Sequence, residues 1–408
     1  MTDQEIMGER RLRQFLCALD LLAFAAIAAV ALYIWRFWPR GHDVYSDLQQ
    51  SASETYLLTW MGVALIAALT ALGRRTRLIS FALSFLLLME CLAQLYFFSA
   101  NHHPYHPNAQ AILNRFEPHP LLVGIPHPST FGGLSHDAMH RRTTVNEGKA
   151  SEARLIYVFG GSLAYDVGVI DSETWASDLS RLLGPRYEVQ NYGVPGYGSL
   201  EAMIQSLFVF RDVKPACAVY YEGAVDLTLA HAADLSSDYA PDHQAQLLEL
   251  LGVGYRPSGL ANNWLFFQLV ERAITSGPKN RPSPIAVSAQ QDMRLSQIFT
   301  DNMRLIAGID RHFGVTPILV PQVLNYDFIE THYERWWPGI PAQAVQPMMH
   351  EMNLDLERAA KDSGAVFLDA PLNIHWESGD FLDPMHFSAV GTAKFAQVIA
   401  PGIAMNCK

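Results

Sequence analysis

Three residues far apart in the chain, Ser162, Asp383 and His386, have the types that together make an activated nucleophile. A serine hydroxyl needs a base within hydrogen-bond reach and a carboxylate to orient that base, and Asp383-Pro384-Met385-His386 offers both on one loop. Each segment also has an ordinary reading. Gly160-Gly161-Ser162 is a glycine-rich turn with a capping serine, and Asp383 can cap a turn beside a surface histidine. Taken alone, each segment leaves both readings open. Leu155 to Phe159 is wholly apolar and rich in β-branched and aromatic types, so it reads as a strand buried on both faces of a parallel sheet. Ser162 then falls at the carboxyl edge of that sheet, where open α/β folds bind ligands. A helix N-terminus is also expected nearby, because Asp171-Ser172-Glu173-Thr174 precedes the helical pattern Trp175, Leu179, Leu182 and Leu183.

The two segments resemble the first and last sequence blocks of the SGNH (GDSL-like) hydrolase superfamily, and the middle blocks follow in order. Asn191-Tyr192-Gly193-Val194-Pro195-Gly196 resembles the second block, whose glycine amide belongs to the oxyanion hole; by position that residue is Gly196. Ala218 to Asp226 resembles the third block, Gly-x-Asn-Asp, with Val225 at the place of the oxyanion-hole asparagine. The first block reads Gly-Gly-Ser rather than Gly-Asp-Ser, a form the resemblance associates with membrane-tethered and polysaccharide-modifying members. Coverage runs from about Leu155 to Ile399. The resemblance implies a three-layer α/β/α, doubly wound parallel sheet of flavodoxin-like type. It also implies a triad of Ser162, His386 and Asp383, oxyanion amides from Ser162 and Gly196, and chemistry that needs no cofactor.

Composition bounds the rest of the chain. Half of the 408 residues are hydrophobic and 17% are charged, which points to a membrane segment attached to a soluble domain. A net charge of -11 argues against nucleic acid or an anionic surface as partner. The four cysteines, Cys17, Cys91, Cys217 and Cys407, are spaced as neither a disulfide framework nor a zinc site. Three apolar runs, about 15–35, 56–72 and 78–98, read as transmembrane helices within residues 1–100. Arg10, Arg11 and Arg13 and the loop Gly73-Arg74-Arg75-Thr76-Arg77 place the N-terminus in the cytoplasm, so that everything after Phe98 lies outside it, in the periplasm of a Gram-negative cell. Glu90 sits near the middle of the third run. An ionisable group at that depth needs a partner, either within the helix bundle or on another protein.

Residues 101–150 read as a juxtamembrane linker and extension, and 151–408 as the catalytic domain. Seven histidines between His102 and His140 suggest metal, but their spacing is irregular and broken by prolines, so no metal site is assigned. The alternation of strands and amphipathic helices predicts a parallel sheet with an insertion at about 231–290, lying over the active-site edge. Trp336 and Trp337, on a loop after a later strand, are candidate stacking surfaces for sugar rings.

The resulting expectation is an inner-membrane, multi-pass serine esterase with a periplasmic catalytic domain. It would act on O-acyl, above all O-acetyl, esters of an exopolysaccharide such as cellulose. Two alternatives stand beside it: an O-acetyltransferase fed by a partner membrane protein, and a catalytically weakened subunit bound to a polysaccharide synthase or secretion complex.

Overall fold

The computed structural model describes residues 56–101 except 57, 68 and 71–75, residues 115–239 except 132, residues 264–275, 286–336 and 339–408, and isolated positions before residue 26. The chain divides into two compact units. One holds Asn114–Gly254 and Pro282–Lys408 with Asp43–Tyr45; the other holds Met1–His42, Ser46–Leu113 and Tyr255–Arg281.

The first unit is built on five parallel strands: β1 (Arg154–Gly160), β2 (Tyr187–Asn191), β3 (Cys217–Tyr221), β4 (Thr316–Leu319) and β5 (Val366–Phe367). Their spatial order is β5-β4-β3-β1-β2, so the chain leaves β1 to one side and returns to the other. Val158 pairs with Asn191 on one flank and Val219 on the other. A strand enclosed in this way has no polar face, which is why β1 and β3 read as unbroken apolar runs. The order reverses between β1 and β3, and that switch point is where a crevice opens at the carboxyl edge of an open sheet.

Five long helices cover the sheet: α1 (Trp175–Leu183), α2 (Ser199–Asp212), α3 (Met293–Phe313), α4 (Val345–Ser363) and α5 (Ala389–Asn406). Helices α1 and α5 pack together, and α3 packs between α2 and α4, giving the two outer layers. Local sequence sets their ends. Thr174 caps α1 by accepting from the Ser177 amide, and Asp292 caps α3 by accepting from Arg294 and Leu295. Between the layers Val158, Phe159, Val219, Tyr220, Ile318 and Leu319 are fully buried, and the Phe159 and Tyr220 rings stack 5.1 Å apart.

The cysteines depart from the sequence reading. Cys217, at the start of β3, and Cys407, after α5, form a disulfide with Cα atoms 5.4 Å apart, although no framework is legible in their spacing. The histidine-rich extension, in its described part, forms two hairpins, Phe116–His119 with Val123–Pro126 and Ser129–Phe131 with Leu134–His136. His136 meets the Tyr165 hydroxyl at 2.7 Å, and His140 meets the Pro126 carbonyl at 2.8 Å. These histidines hold structure together, and among the described residues no group of three or more ligating side chains forms a metal site. His102, His103 and His106 lie outside the described residues.

In the other unit, the apolar helices Leu58–Ala67 and Arg77–Asn101 correspond to the second and third predicted spans. Among the described residues one helix, Leu78–Phe97, is long and apolar enough to cross a membrane. The first predicted span lies almost wholly outside the described residues. Part of the predicted insertion belongs to this unit: the helix Leu265–Thr275 packs on Arg77–Asn101. Glu90 is the reason. Its two carboxylate oxygens accept from the Leu265 amide at 2.6 Å and the Phe266 amide at 2.7 Å, and Oε1 also accepts from the Tyr56 hydroxyl. Those amides are orphan donors at a helix N-terminus, where a carboxylate is favoured by both hydrogen bonding and the helix dipole. Trp60 and Trp264 stack beside this cap with centroids 6.1 Å apart.

Candidate active site

The nucleophile stands on a tight turn. Gly160 closes β1 at φ +151°, and a Cβ there would lie 2.6 Å from the Tyr221 carbonyl oxygen on β3, so only glycine lets the two strands end this close together. Ser162 then opens a helix of its own, Ser162–Tyr165, and the start of α1 lies against this segment: the Trp175 amide donates to the Asp166 carboxylate at 2.6 Å and the Trp175 indole to the Leu163 carbonyl at 3.1 Å. The Ser162 amide has no acceptor within its own helix. Behind the turn, Arg142 is fully buried and donates to the Tyr165 and Val169 carbonyls at 3.3 and 2.8 Å and to the Asp171 carboxylate. The extension therefore fixes the back of the segment that presents Ser162.

From the far end of the chain, the loop before α5 brings the base. His386 Nε2 lies 2.8 Å from Ser162 Oγ, and His386 Nδ1 lies 2.6 Å from Asp383 Oδ2. Asp383 Oδ1 accepts from the Met385 and His386 amides, both at 2.8 Å. The carboxylate thus holds its own loop closed while orienting the imidazole. Desolvation opposes its ionisation, but the hydrogen bond and charge of His386, helped by the two amides, outweigh it and keep Asp383 below the ordinary carboxylate range. An ionised Asp383 on Nδ1 sets the tautomer with Nδ1–H, which leaves the Nε2 lone pair to accept the serine proton. The His386 side chain is 16% exposed and that of Asp383 45%, so the pair lies at an open edge.

The expected oxyanion residues lie on the segments that follow β2 and β3. Gly196 follows β2 at φ +88°, and Val225 sits in the short helix Ala224–Leu227 after β3. A Cβ placed on Gly161 would come within 2.8 Å of Val225 Cγ2 and 2.6 Å of the Tyr197 carbonyl oxygen. Position 225 therefore borders the nucleophile turn and offers it methyl groups in place of an amide N–H.

Sequence reasoning did not single out the groups that lock these loops together. Asp226 is fully buried and accepts from the Ser199 amide at 3.1 Å, the Ser199 hydroxyl at 2.5 Å and the Tyr239 hydroxyl at 2.8 Å. Burial pushes its carboxyl up to about 6. Gln322, also buried, donates to the Tyr221 carbonyl at 2.8 Å and accepts from the Ala224 amide. Asp226 stood in the third block and was findable there. Gln322, after β4, carries no signal in the sequence.

Ser162, Asp383, His386, Gly196 and Val225 all belong to the loops at the carboxyl edge of the sheet. Trp336 is 4% exposed, packed in the core cluster, so its ring is unavailable for stacking on a ligand. Trp337 lies outside the described residues, and Glu90 belongs to the other unit.

No family model matches the chain, and no curated protein does. Among solved structures the chain is similar to TesA (14% identity, TM-score 0.38, covering 62% of this chain and 99% of that one). It is also similar to a catalytic mutant of an acetylxylan esterase from Geobacillus stearothermophilus (11%, 0.35, 64% and 96%) and to a GDSL-like lipase from Bacteroides thetaiotaomicron (12%, 0.33, 62% and 88%). In this chain a five-stranded parallel sheet carries a serine, a histidine and an aspartate in hydrogen-bonded sequence at its carboxyl edge.

Proposed function

We propose that this chain is a serine esterase of SGNH type, anchored in the bacterial inner membrane, with its catalytic unit in the periplasm and acylated exopolysaccharide such as cellulose as substrate. The observation that carries the reading is the unbroken relay Ser162 Oγ, His386, Asp383, at 2.8 and 2.6 Å. His386 takes the Ser162 proton as Oγ attacks the ester carbonyl, and the Ser162 and Gly196 amides receive the oxyanion. Collapse expels the alcohol with the proton from His386. Water, activated by the same imidazole, then releases the acid; a sugar hydroxyl in its place would make the enzyme a transferase fed by a membrane acyl donor.

Two observations support the location. The Cys217–Cys407 bridge suits an oxidising compartment, and the helix Leu78–Phe97 suits a lipid bilayer. Val225 favours the weakened alternative, since it withdraws one donor from the oxyanion site. The test is labelling of the full-length protein by a fluorophosphonate. Wild type should be labelled and Ser162→Ala should not, with the fold retained because removing an edge hydroxyl leaves no cavity of consequence. Equal labelling of both proteins would refute the assignment.

A further inference from the structure

The helix Leu78–Phe97 sets a scale of depth. Its 20 residues, at about 1.5 Å each, cover roughly 30 Å, the thickness of the hydrocarbon core of a bilayer. Glu90 stands roughly 10 Å short of Phe97 along the axis, well inside that thickness. A backbone amide bonded to its carboxylate lies at the same depth, to within the length of a side chain. Two such amides are present, Leu265 at 2.6 Å and Phe266 at 2.7 Å, and they open the helix Leu265–Thr275. The contact is part of a built core: Trp264 is buried with Tyr56, Trp60, Leu87 and Cys91, and Gln94 donates to the Tyr56 hydroxyl at 2.6 Å. The segment that makes it, Tyr255–Arg281, interrupts the catalytic unit, which the chain leaves at Gly254 and rejoins at Pro282.

The sequence of that helix fits the same depth. Leu265 to Val270 carries no charge, and its one polar residue, Gln268, is buried. The first charged positions, Glu271 and Arg272, stand roughly 9–10 Å along the axis from Leu265. A helix running outward from Glu90 brings them to the membrane surface, whereas one running inward sinks them toward the middle of the hydrocarbon, where ionisable groups are costly. Its 11 residues extend about 16 Å, half of what a crossing needs. Val270 is exposed, and Phe266 and Leu269 are partly so, which leaves an apolar face uncovered at the level of the exposed Leu92, Leu95 and Tyr96. A helix that starts in hydrocarbon also has orphan amides that no water can satisfy. Glu90 supplies their acceptors, which accounts for a carboxylate at that depth.

Resting on the membrane-anchored reading, we propose that Leu265–Thr275 is a re-entrant half-helix, capped by Glu90 inside the bilayer and running outward from it, with lipid acyl chains against the face that carries Phe266, Leu269 and Val270. The insertion is then a second attachment of the catalytic unit to the membrane, made by a segment far in sequence from the predicted spans.

The experiment reconstitutes the full-length protein in phosphatidylcholine vesicles containing a phosphatidylcholine with a diazirine on its acyl chain. Light converts the diazirine to a carbene that inserts into bonds within the hydrocarbon, and peptide mass spectrometry locates the adducts. In wild type, adducts should appear on Leu265–Thr275 as well as on Leu78–Phe97, and not on α5, whose exposed Val390 and Met405 report adventitious labelling of apolar residues. Adducts on Leu78–Phe97 with no more on Leu265–Thr275 than on α5 would overturn the proposal. Adducts on neither Leu78–Phe97 nor Leu265–Thr275 would refute the membrane-anchored reading itself, and this inference with it. Glu90→Ala, which strands the Leu265 and Phe266 amides, should lose the adducts on Leu265–Thr275 while Leu78–Phe97 keeps them; equal labelling of both segments in variant and wild type would remove Glu90 as the anchor. The wild-type result decides between bilayer and water even where the variant fails to fold.

Discussion

Val225→Asn is the substitution that most directly interrogates the site. Position 225 borders the nucleophile turn, because Val225 Cγ2 would be 2.8 Å from a Cβ on Gly161. A valine there cannot donate to the developing oxyanion, and the loss of one such donor costs on the order of 2.7–4 kcal/mol of transition-state stabilisation, about a hundred- to a thousandfold in rate. The wild-type enzyme should therefore be slow on small esters, for which positioning supplies little; a polymer held beside Ser162 can recover comparable free energy through orientation. Asparagine exceeds valine by roughly one heavy atom, a change that neighbouring side chains can accommodate at a cost of about 1 kcal/mol. Allowing for that cost and for imperfect aim, Val225→Asn should raise kcat/KM for 4-nitrophenyl acetate by at least about tenfold, or ~1.4 kcal/mol. Assayed on full-length protein in detergent, a rapid wild type and a mutant no faster would show that the oxyanion is met elsewhere and that position 225 does not replace the asparagine.

The remaining expectations concern stability. Closing a separation of 190 residues, the Cys217–Cys407 bridge should contribute up to roughly 5 kcal/mol by the chain-entropy argument, so Cys407→Ser, or wild type in dithiothreitol, should unfold at markedly lower denaturant; an unchanged midpoint would mean the bridge is not formed in the native protein. The Asp226 carboxyl is raised to about 6 when folded, so its favourable contribution is complete below about pH 4 and is lost as pH rises through 6. Unfolding free energy should accordingly carry a decline of up to about 3 kcal/mol between pH 4 and 7 from this group, and Asp226→Asn should flatten that slope. An identical slope in wild type and mutant would remove Asp226 as its source.

What the sequence disclosed follows from how each feature is encoded. β1 and β3 are legible because a strand paired on both flanks and covered on both faces must be apolar without alternation, and Leu155 to Phe159 and Cys217 to Tyr221 are. The triad is legible because Asp383 and His386 share one short loop and Ser162 follows the central strand directly. Pairings made by tertiary approach alone leave no local trace. Cys217 and Cys407 meet because α5 ends beside the start of β3, and Glu90 finds its partners 175 residues away at a helix start. Trp336 reads as a loop aromatic, but a two-residue strand pairing with Ile340–Pro341 buries its ring.

The disulfide also divides the catalytic apparatus. It closes a covalent ring from Cys217 to Cys407 that encloses β3, β4, β5, the three helices α3, α4 and α5, and both Asp383 and His386. Ser162 lies on the open chain that precedes the ring, with β1 and β2. The base and its orienting acid therefore belong to a segment that remains one covalent piece when the polypeptide is cut once within it, whereas the nucleophile, joined to that segment by a single run of chain, is otherwise held by non-covalent contacts, the packing of α1 on α5 and the β1–β3 ladder (Ile156 with Cys217 through Gly160 with Tyr221) among them. Strand β1, inserted between β2 outside the ring and β3 inside it, is the joint between the two halves. Opening that joint separates serine from histidine while every bond between histidine and aspartate remains in place.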